Sequence, residues 1–169
     1  MLTNSNIQPV DYTSILSKRP NAIAMIKGSN KYPQIIGNTK FYNTKHGVLV
    51  ATEIFGLPTN SNICESPIFA FHIHSGNSCS GNDTDPFANA MSHYNPNNCN
   101  HPYHAGDLPP LFGNNGYALN IFITDRFTID KVIGKTIIIH SHLDDFTTQP
   151  SGDSGEKIAC GIIKFIGRS

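Results

Sequence analysis

Apolar and polar positions change over in short runs along this chain, and turn formers close each run. Ala22 to Ile26 is small and apolar and stops at Gly28-Ser29-Asn30. Ile35 to Asn43 alternates through Lys40-Phe41-Tyr42 and turns at Lys45-His46-Gly47, and a β-branched run from Val48 to Phe55 ends at Gly56-Leu57-Pro58. Period-two runs bounded by Gly, Pro and Asn predict strands joined as hairpins. Further strands are predicted at Ile68–His74, Tyr117–Thr124, Thr136–His140 and Ile158–Phe165, with Ile129–Lys135 as a connection. Residues 1–20 lack sustained periodicity and are read as an N-terminal arm, with one helical turn over Asp11–Leu16; residues 21–169 form a single domain. The fold class is all-β: about seven or eight short strands in one domain imply a β-sandwich or barrel, with two long loops gathered at one end.

One loop strains that pattern. Residues 75 to 116 are rich in Gly, Asn, Asp, Pro and His and carry little apolar periodicity. A loop that long needs something else to order it, and a bound metal ion is one such constraint.

Composition narrows the function. The chain has 169 residues, enough for one core-bearing domain, with 14% charged residues, 14 Gly, 11 Pro and no Trp. Its formal charge is zero, so nothing global attracts nucleic acid or an anionic membrane. No apolar run approaches the ~18–20 residues of a membrane span. The segment Met1–Pro9 has no basic n-region or apolar h-region, which points to a cytoplasmic location, with an extracytoplasmic one as the alternative if a leader was removed.

The histidines carry the chemistry. In a strand, His72 and His74 share a face while Ile73 points the other way, so both imidazoles can reach one metal ion. His93, His101, His104 and Asp107 make a second ligand set, and His140 answers from downstream. His46 and His142 belong to neither group. A single histidine is most simply a hydrogen-bonded surface or core residue, but six with an aspartate at such spacings are hard to explain as packing. An all-imidazole site suits copper, zinc, iron or nickel, and three nitrogens with one carboxylate oxygen suit zinc. These residue types alone leave the metals open.

In four segments the chain resembles the copper/zinc superoxide dismutases, in a bacterial-like loop arrangement. Phe71-His72-Ile73-His74 is similar to the strand bearing two copper histidines, and His93-Tyr94-Asn95-Pro96 to the motif holding the bridging histidine. His101 with His104-Ala105-Gly106-Asp107-Leu108 is similar to the zinc segment. Ile138-Ile139-His140, Asp144-Asp145 and Lys157-Ile158-Ala159-Cys160-Gly161 are similar to the last copper ligand, the supporting aspartate and the carboxy-terminal signature. The resemblance implies an all-β Greek-key β-sandwich or barrel, immunoglobulin-like, of about eight antiparallel strands with two long functional loops, with copper on His72, His74, His93 and His140, and zinc on His93, His101, His104 and Asp107. It further implies that Asp144 accepts hydrogen bonds from one histidine of each site, and that Cys79 pairs with Cys160. The implied reaction is dismutation of superoxide anion to dioxygen and hydrogen peroxide by Cu(II)/Cu(I) cycling, with His93 passing a proton. Cys64 and Cys99 have no partner in that pattern, and a homodimer is compatible with it.

Lys157 departs from the family, which usually places an arginine there to steer and dock the anion. Lysine keeps the charge but loses the planar fork. Glu156 beside it is expected to weaken the local potential, and Asp144, Asp145, Asp153 and Glu156 make the loop from His142 to Lys157 acidic. Slower dismutation is expected, with the alternative that the chain binds metal without catalysis.

Overall fold

The computed structural model describes residues 11–62, 64 and 67–167; residues 1–10 of the expected arm lie outside these. A one-turn helix, α1 (Tyr12–Leu16), starts on Asp11, whose carboxylate accepts from the Ser14 N–H. Eight strands follow: β1 (Ala22–Gly28), β2 (Ile36–Thr44), β3 (Gly47–Phe55), β4 (Ile68–His74), β5 (Asp107–Phe112), β6 (Ala118–Thr124), β7 (Thr136–His140) and β8 (Lys157–Phe165). The stretch expected as a connection holds the short helix α2 (Ile129–Val132).

Every strand pair is antiparallel, in the order β5-β4-β7-β8-β1-β2-β3-β6, and the sheet curls into a nearly closed barrel. One strand was not expected. β5 lies inside the stretch read as a loop, because Pro109 and Pro110 look incompatible with a strand. They sit on an edge strand, where a missing N–H costs no ladder bond. The Asn120 side-chain amide on β6 donates to the carbonyls of Pro109 and Pro110 at 3.1 and 3.3 Å, which brings the two edges together without a backbone ladder.

Strand alternation divides the molecule into an inside and a covered outside. Phe69, Phe71 and Ile73 of β4 and Ile137 and Ile139 of β7 fill the barrel with Phe41, Val50, Ile54 and Leu111. The opposite faces of β4 and β7 are also buried, under the long loop. There a second, smaller cluster joins Ile138 and Cys160 to Phe87 and Ala90, with Cys79 packed against it. Cys79 and Cys160 form a disulfide, Cα to Cα 5.6 Å, which pins the loop to β8. Burial on both faces accounts for the scarcity of charged residues in these two strands.

Candidate metal centre

His72 and His74 leave β4 on the outer face, and β7 delivers His140 to the same side, since His74 pairs with Thr136 and His72 with Ile138 in the ladder. The loop is stitched alongside them. Tyr94 N–H donates to the Ile73 carbonyl at 2.8 Å, Ile73 N–H to Gly106 at 2.9 Å and Gly106 N–H to Tyr94 at 2.9 Å, and His93 forms an isolated bridge with His74. Gly106 is required there, because a Cβ would come within 2.3 Å of the Ile73 carbonyl oxygen. Asp107 opens β5 opposite His72.

Hydrogen bonds at the far nitrogens decide which lone pair each ring presents. His74 Nδ1–H donates to the Met91 carbonyl at 2.8 Å, His140 Nδ1–H to the Gly155 carbonyl at 3.2 Å, and His72 Nε2–H to Asp144 Oδ2 at 2.8 Å. Nε2 of His74 and His140 and Nδ1 of His72 are thereby left for a cation. His72, His74, His93 and His140 each offer one ligand atom, all within 4.8 Å of one another. The second group, His93, His101, His104 and Asp107, meets the same test. In it Asp107 lies 2.7 Å from His93 Nδ1, 3.1 Å from His101 Nδ1 and 3.2 Å from His104 Nδ1, while His101 Nε2–H donates to Asp144 Oδ1 at 2.8 Å.

A metal fits both groups. His72 Nδ1, His93 Nε2 and His101 Nδ1 are buried with no hydrogen-bond partner, a cost that few folds carry without a reason. The Nε2 atoms of His74 and His140, both left as acceptors, face each other at 3.2 Å. Two ligands held on one ion at tetrahedral geometry stand about 3.3 Å apart.

Electrostatics keep the donors ready. Burial holds His74 and His140 well below the usual histidine range, and the neighbouring imidazoles push the same way. Burial pulls His72 down to about 4, although the hydrogen bond to Asp144 works in the other direction. Neutral rings are the form that binds metal. For Asp144 burial acts to raise the pKa, but hydrogen bonds from His72, the Phe146 N–H and His101 outweigh it and hold the carboxylate at about 2. Asp107 is lowered too: burial opposes ionisation, and the contacts with His93, His101 and His104 overcome it.

These shifts set an acid response. An unfolded His72 takes a proton below about pH 6.5, whereas the folded one does so only near about 4, so between those values the unfolded chain binds more protons. Stability from this ring is complete above about 6.5 and falls as the pH drops, by about 1.4 kcal/mol per pH unit. His74 and His140 act in the same sense, while the Asp144 contribution persists to lower pH and is lost only as pH falls through about 2. Urea unfolding of the metal-free protein is therefore expected to weaken from about pH 6.5 downward, and metal loading to delay the onset because ions compete with protons for the same nitrogens. A flat stability from pH 6.5 to 5 in the metal-free protein contradicts this.

A cavity of about 500 Å³ opens onto the first group, with His74, His93 and His140 in its wall beside Asp85 and Lys157. Lys157 does not stand free there. Its ammonium is ion-paired to Asp85 at 2.5 Å, and its side chain is largely covered. Glu156, expected to weaken the potential at Lys157, instead accepts from Lys31 at 2.6 Å and from Tyr32 Oη at 2.7 Å. Asp85 is the acid that neutralises Lys157.

Several contributors carry no signal at the level of sequence motifs. The Met91 and Gly155 carbonyls orient rings through backbone atoms. Gln149 holds His101 by its backbone on both sides, at 3.0 and 2.8 Å. Arg126 Nη1 donates to the carbonyls of Pro102, His104 and Asp107, which ties down the segment carrying the second group. Gly152, at φ +69°, leaves room for Asp144: a Cβ there would lie 2.1 Å from Asp144 Oδ1. Cys64 and Cys99 are free thiols, and His46 and His142 are exposed outside both groups.

These features define a β-barrel metalloprotein with two metal-binding groups that share one histidine. The sequence model of the copper/zinc superoxide dismutase (SODC) family matches residues 35–163. Superoxide dismutase [Cu-Zn] 2 of Aquifex aeolicus is 31% identical over 150 residues, covering 80% of this chain and 82% of the relative. Superoxide dismutase [Cu-Zn] of Legionella pneumophila is 33% identical over 140 residues, covering 78% and 80%. Among solved structures, a double mutant of a SOD-like protein from Bacillus subtilis superposes with a TM-score of 0.67 at 26% identity, covering 86% of this chain and 97% of that one. The chain belongs to the copper/zinc superoxide dismutase family. Copper and zinc are the metals that this family and the two groups fit. Among the described residues no helix is long and apolar enough to cross a membrane.

Proposed function

We propose that this protein is a superoxide dismutase, with copper held by His72, His74, His93 and His140 and zinc by His93, His101, His104 and Asp107. The observation that carries the reading is His93: Nδ1 faces Asp107 in one group, and Nε2 is buried without a hydrogen-bond partner in the other. When bound, copper supplies one-electron exchange that turns one superoxide into dioxygen and, with two protons, another into hydrogen peroxide, while zinc has no redox chemistry and supplies charge and geometry.

The chain's own residues do the rest. His74 and His140 are fixed by backbone carbonyls, so their Nε2 atoms point at one place without a choice of tautomer. Asp144 holds His72 and His101 together and so couples the two groups. His93, which lines the cavity and whose Nε2 is the ring atom left without a partner, is the residue that can carry a proton to a forming peroxide. Lys157 is the cation nearest to hand for an anion in the cavity, and as a lysine it docks less well than an arginine would. We also propose a homodimer and a cytoplasmic location, which sedimentation and cell fractionation test.

Protein loaded with both metals is expected to hold one copper and one zinc per chain and to remove superoxide in pulse radiolysis, more slowly than its Lys157→Arg variant. Zinc without copper, or both metals without superoxide removal, favours the second reading, a metal-binding protein without catalysis. The pairing of Lys157 with Asp85 is what keeps that reading in play.

A further inference from the structure

We propose that Asp85 determines how strongly the copper cavity takes up small anions, by holding Lys157 in an ion pair within the cavity wall. The inference rests on the reading of that cavity as the anion's route to copper.

Asp85 has two oxygens with separate tasks. Oδ1 accepts from the Phe87 N–H at 3.0 Å, which shapes the turn of the disulfide-anchored loop, and Oδ2 takes the Lys157 ammonium. The turn is held independently, since Asn82 Oδ1 accepts from the N–H groups of Thr84 and Asp85 and from the Thr84 hydroxyl. Phe87 and Ala90 pack against Ile138 and Cys160, and the Cys79–Cys160 bridge fixes the loop to the strand that bears Lys157. The carboxylate is therefore delivered to the lysine by a rigid support.

The charges around the cavity show what this does. Its wall carries Lys157, Asp85 and Glu156 as formal charges, and Glu156 is already engaged by Lys31. With Asp85 in place the one cation of the wall is matched by an anion at contact distance, so an incoming anion meets a dipole. Without it, the same anion meets a net positive charge beside His140 and His74. A lysine suits such a masked state, because its ammonium is a compact point charge that one carboxylate at contact distance neutralises, without the planar fork by which a guanidinium also holds a second anion.

Asp85→Asn tests this, because asparagine keeps an oxygen for the Phe87 N–H while it removes the charge and the oxygen that Lys157 pairs with. The probe is azide, titrated by visible absorption into the copper- and zinc-loaded protein at low ionic strength. Asp85→Asn is expected to bind azide about 5-fold more tightly than the parent, with the gain shrinking as salt is added. The double variant Asp85→Asn/Lys157→Gln is expected to match the parent, since both present no net charge from this pair. An Asp85→Asn variant no tighter than the parent overturns the proposal. So does a double variant as tight as Asp85→Asn alone, which shows that the gain does not run through Lys157.

A second readout needs no metal. Amine labelling of the protein as purified, read by mass spectrometry, is expected to modify Lys157 several-fold faster in Asp85→Asn. An unchanged labelling rate also overturns the proposal. Both readouts report binding or accessibility and not turnover, so a copper-loaded protein that binds azide but leaves superoxide untouched contradicts the proposed function alone.

Discussion

Replacing Asp144 with alanine is expected to weaken both metals at once, by about 10- to 100-fold each in competition titrations. The carboxylate is buried, accepts from His72 Nε2 and His101 Nε2 at 2.8 Å each, and is stiffened by the Phe146 N–H at 2.7 Å. Alanine leaves two buried N–H groups without acceptors, and either ring can then turn or change tautomer, which removes the lone pair from the ion. Gly152→Ala is expected to act in the same direction, because its Cβ would occupy the space of Asp144 Oδ1. A residue that merely shaped one site would move one metal and spare the other. Loss confined to copper or to zinc in Asp144→Ala therefore contradicts the bridging role.

Removal of the disulfide has the other large expected effect. Cys79 and Cys160 are 81 residues apart, and closing a chain of that length restricts the unfolded state by up to about 4.5 kcal/mol. The bridge also closes the small cluster of Phe87, Ala90 and Ile138. Its loop carries the Met91 carbonyl that orients His74 and the Asp85 carboxylate that holds Lys157. A Cys79→Ser/Cys160→Ser variant is expected to lose about 3–4 kcal/mol of unfolding free energy in urea and to bind copper more weakly in greater proportion than zinc. A change below about 1 kcal/mol would show that the loop is held mainly by its backbone hydrogen bonds and packing.

The strands β4 and β7 were legible because burial on both faces leaves a long apolar run, and the histidines within those runs stand out against it. The ligand groups were legible as spacings for a related reason: a chelate needs several donors of one type, and six histidines in one small domain are conspicuous. β5 was hidden by Pro109 and Pro110, whose tolerance depends on an edge position that only the assembled barrel defines. The pairing of Asp85 with Lys157 spans 72 positions and arises because the disulfide folds the loop over β8, so no local pattern announces it. The sequence directed attention to Glu156 as the neighbour of Lys157, whereas strand geometry turns Glu156 toward Lys31 and Tyr32. The choice of tautomer at His74 and His140 rests on backbone carbonyls, which every residue possesses and which therefore leave no trace in side-chain chemistry. Gly152 could have been noticed as a glycine eight positions after the supporting aspartate, but its meaning depends on a left-handed backbone beneath that carboxylate.

The whole assignment turns on one ring, His93, serving two ions. Electron paramagnetic resonance of the protein carrying Cu(II) in the first group and Co(II) in place of zinc reads that sharing directly, because two paramagnetic ions joined through one imidazole are magnetically coupled. The Cu(II) signal is expected to lose most of its intensity in protein shown by metal analysis to hold both ions. A full, uncoupled Cu(II) signal from such protein would mean that His93 does not join the two sites.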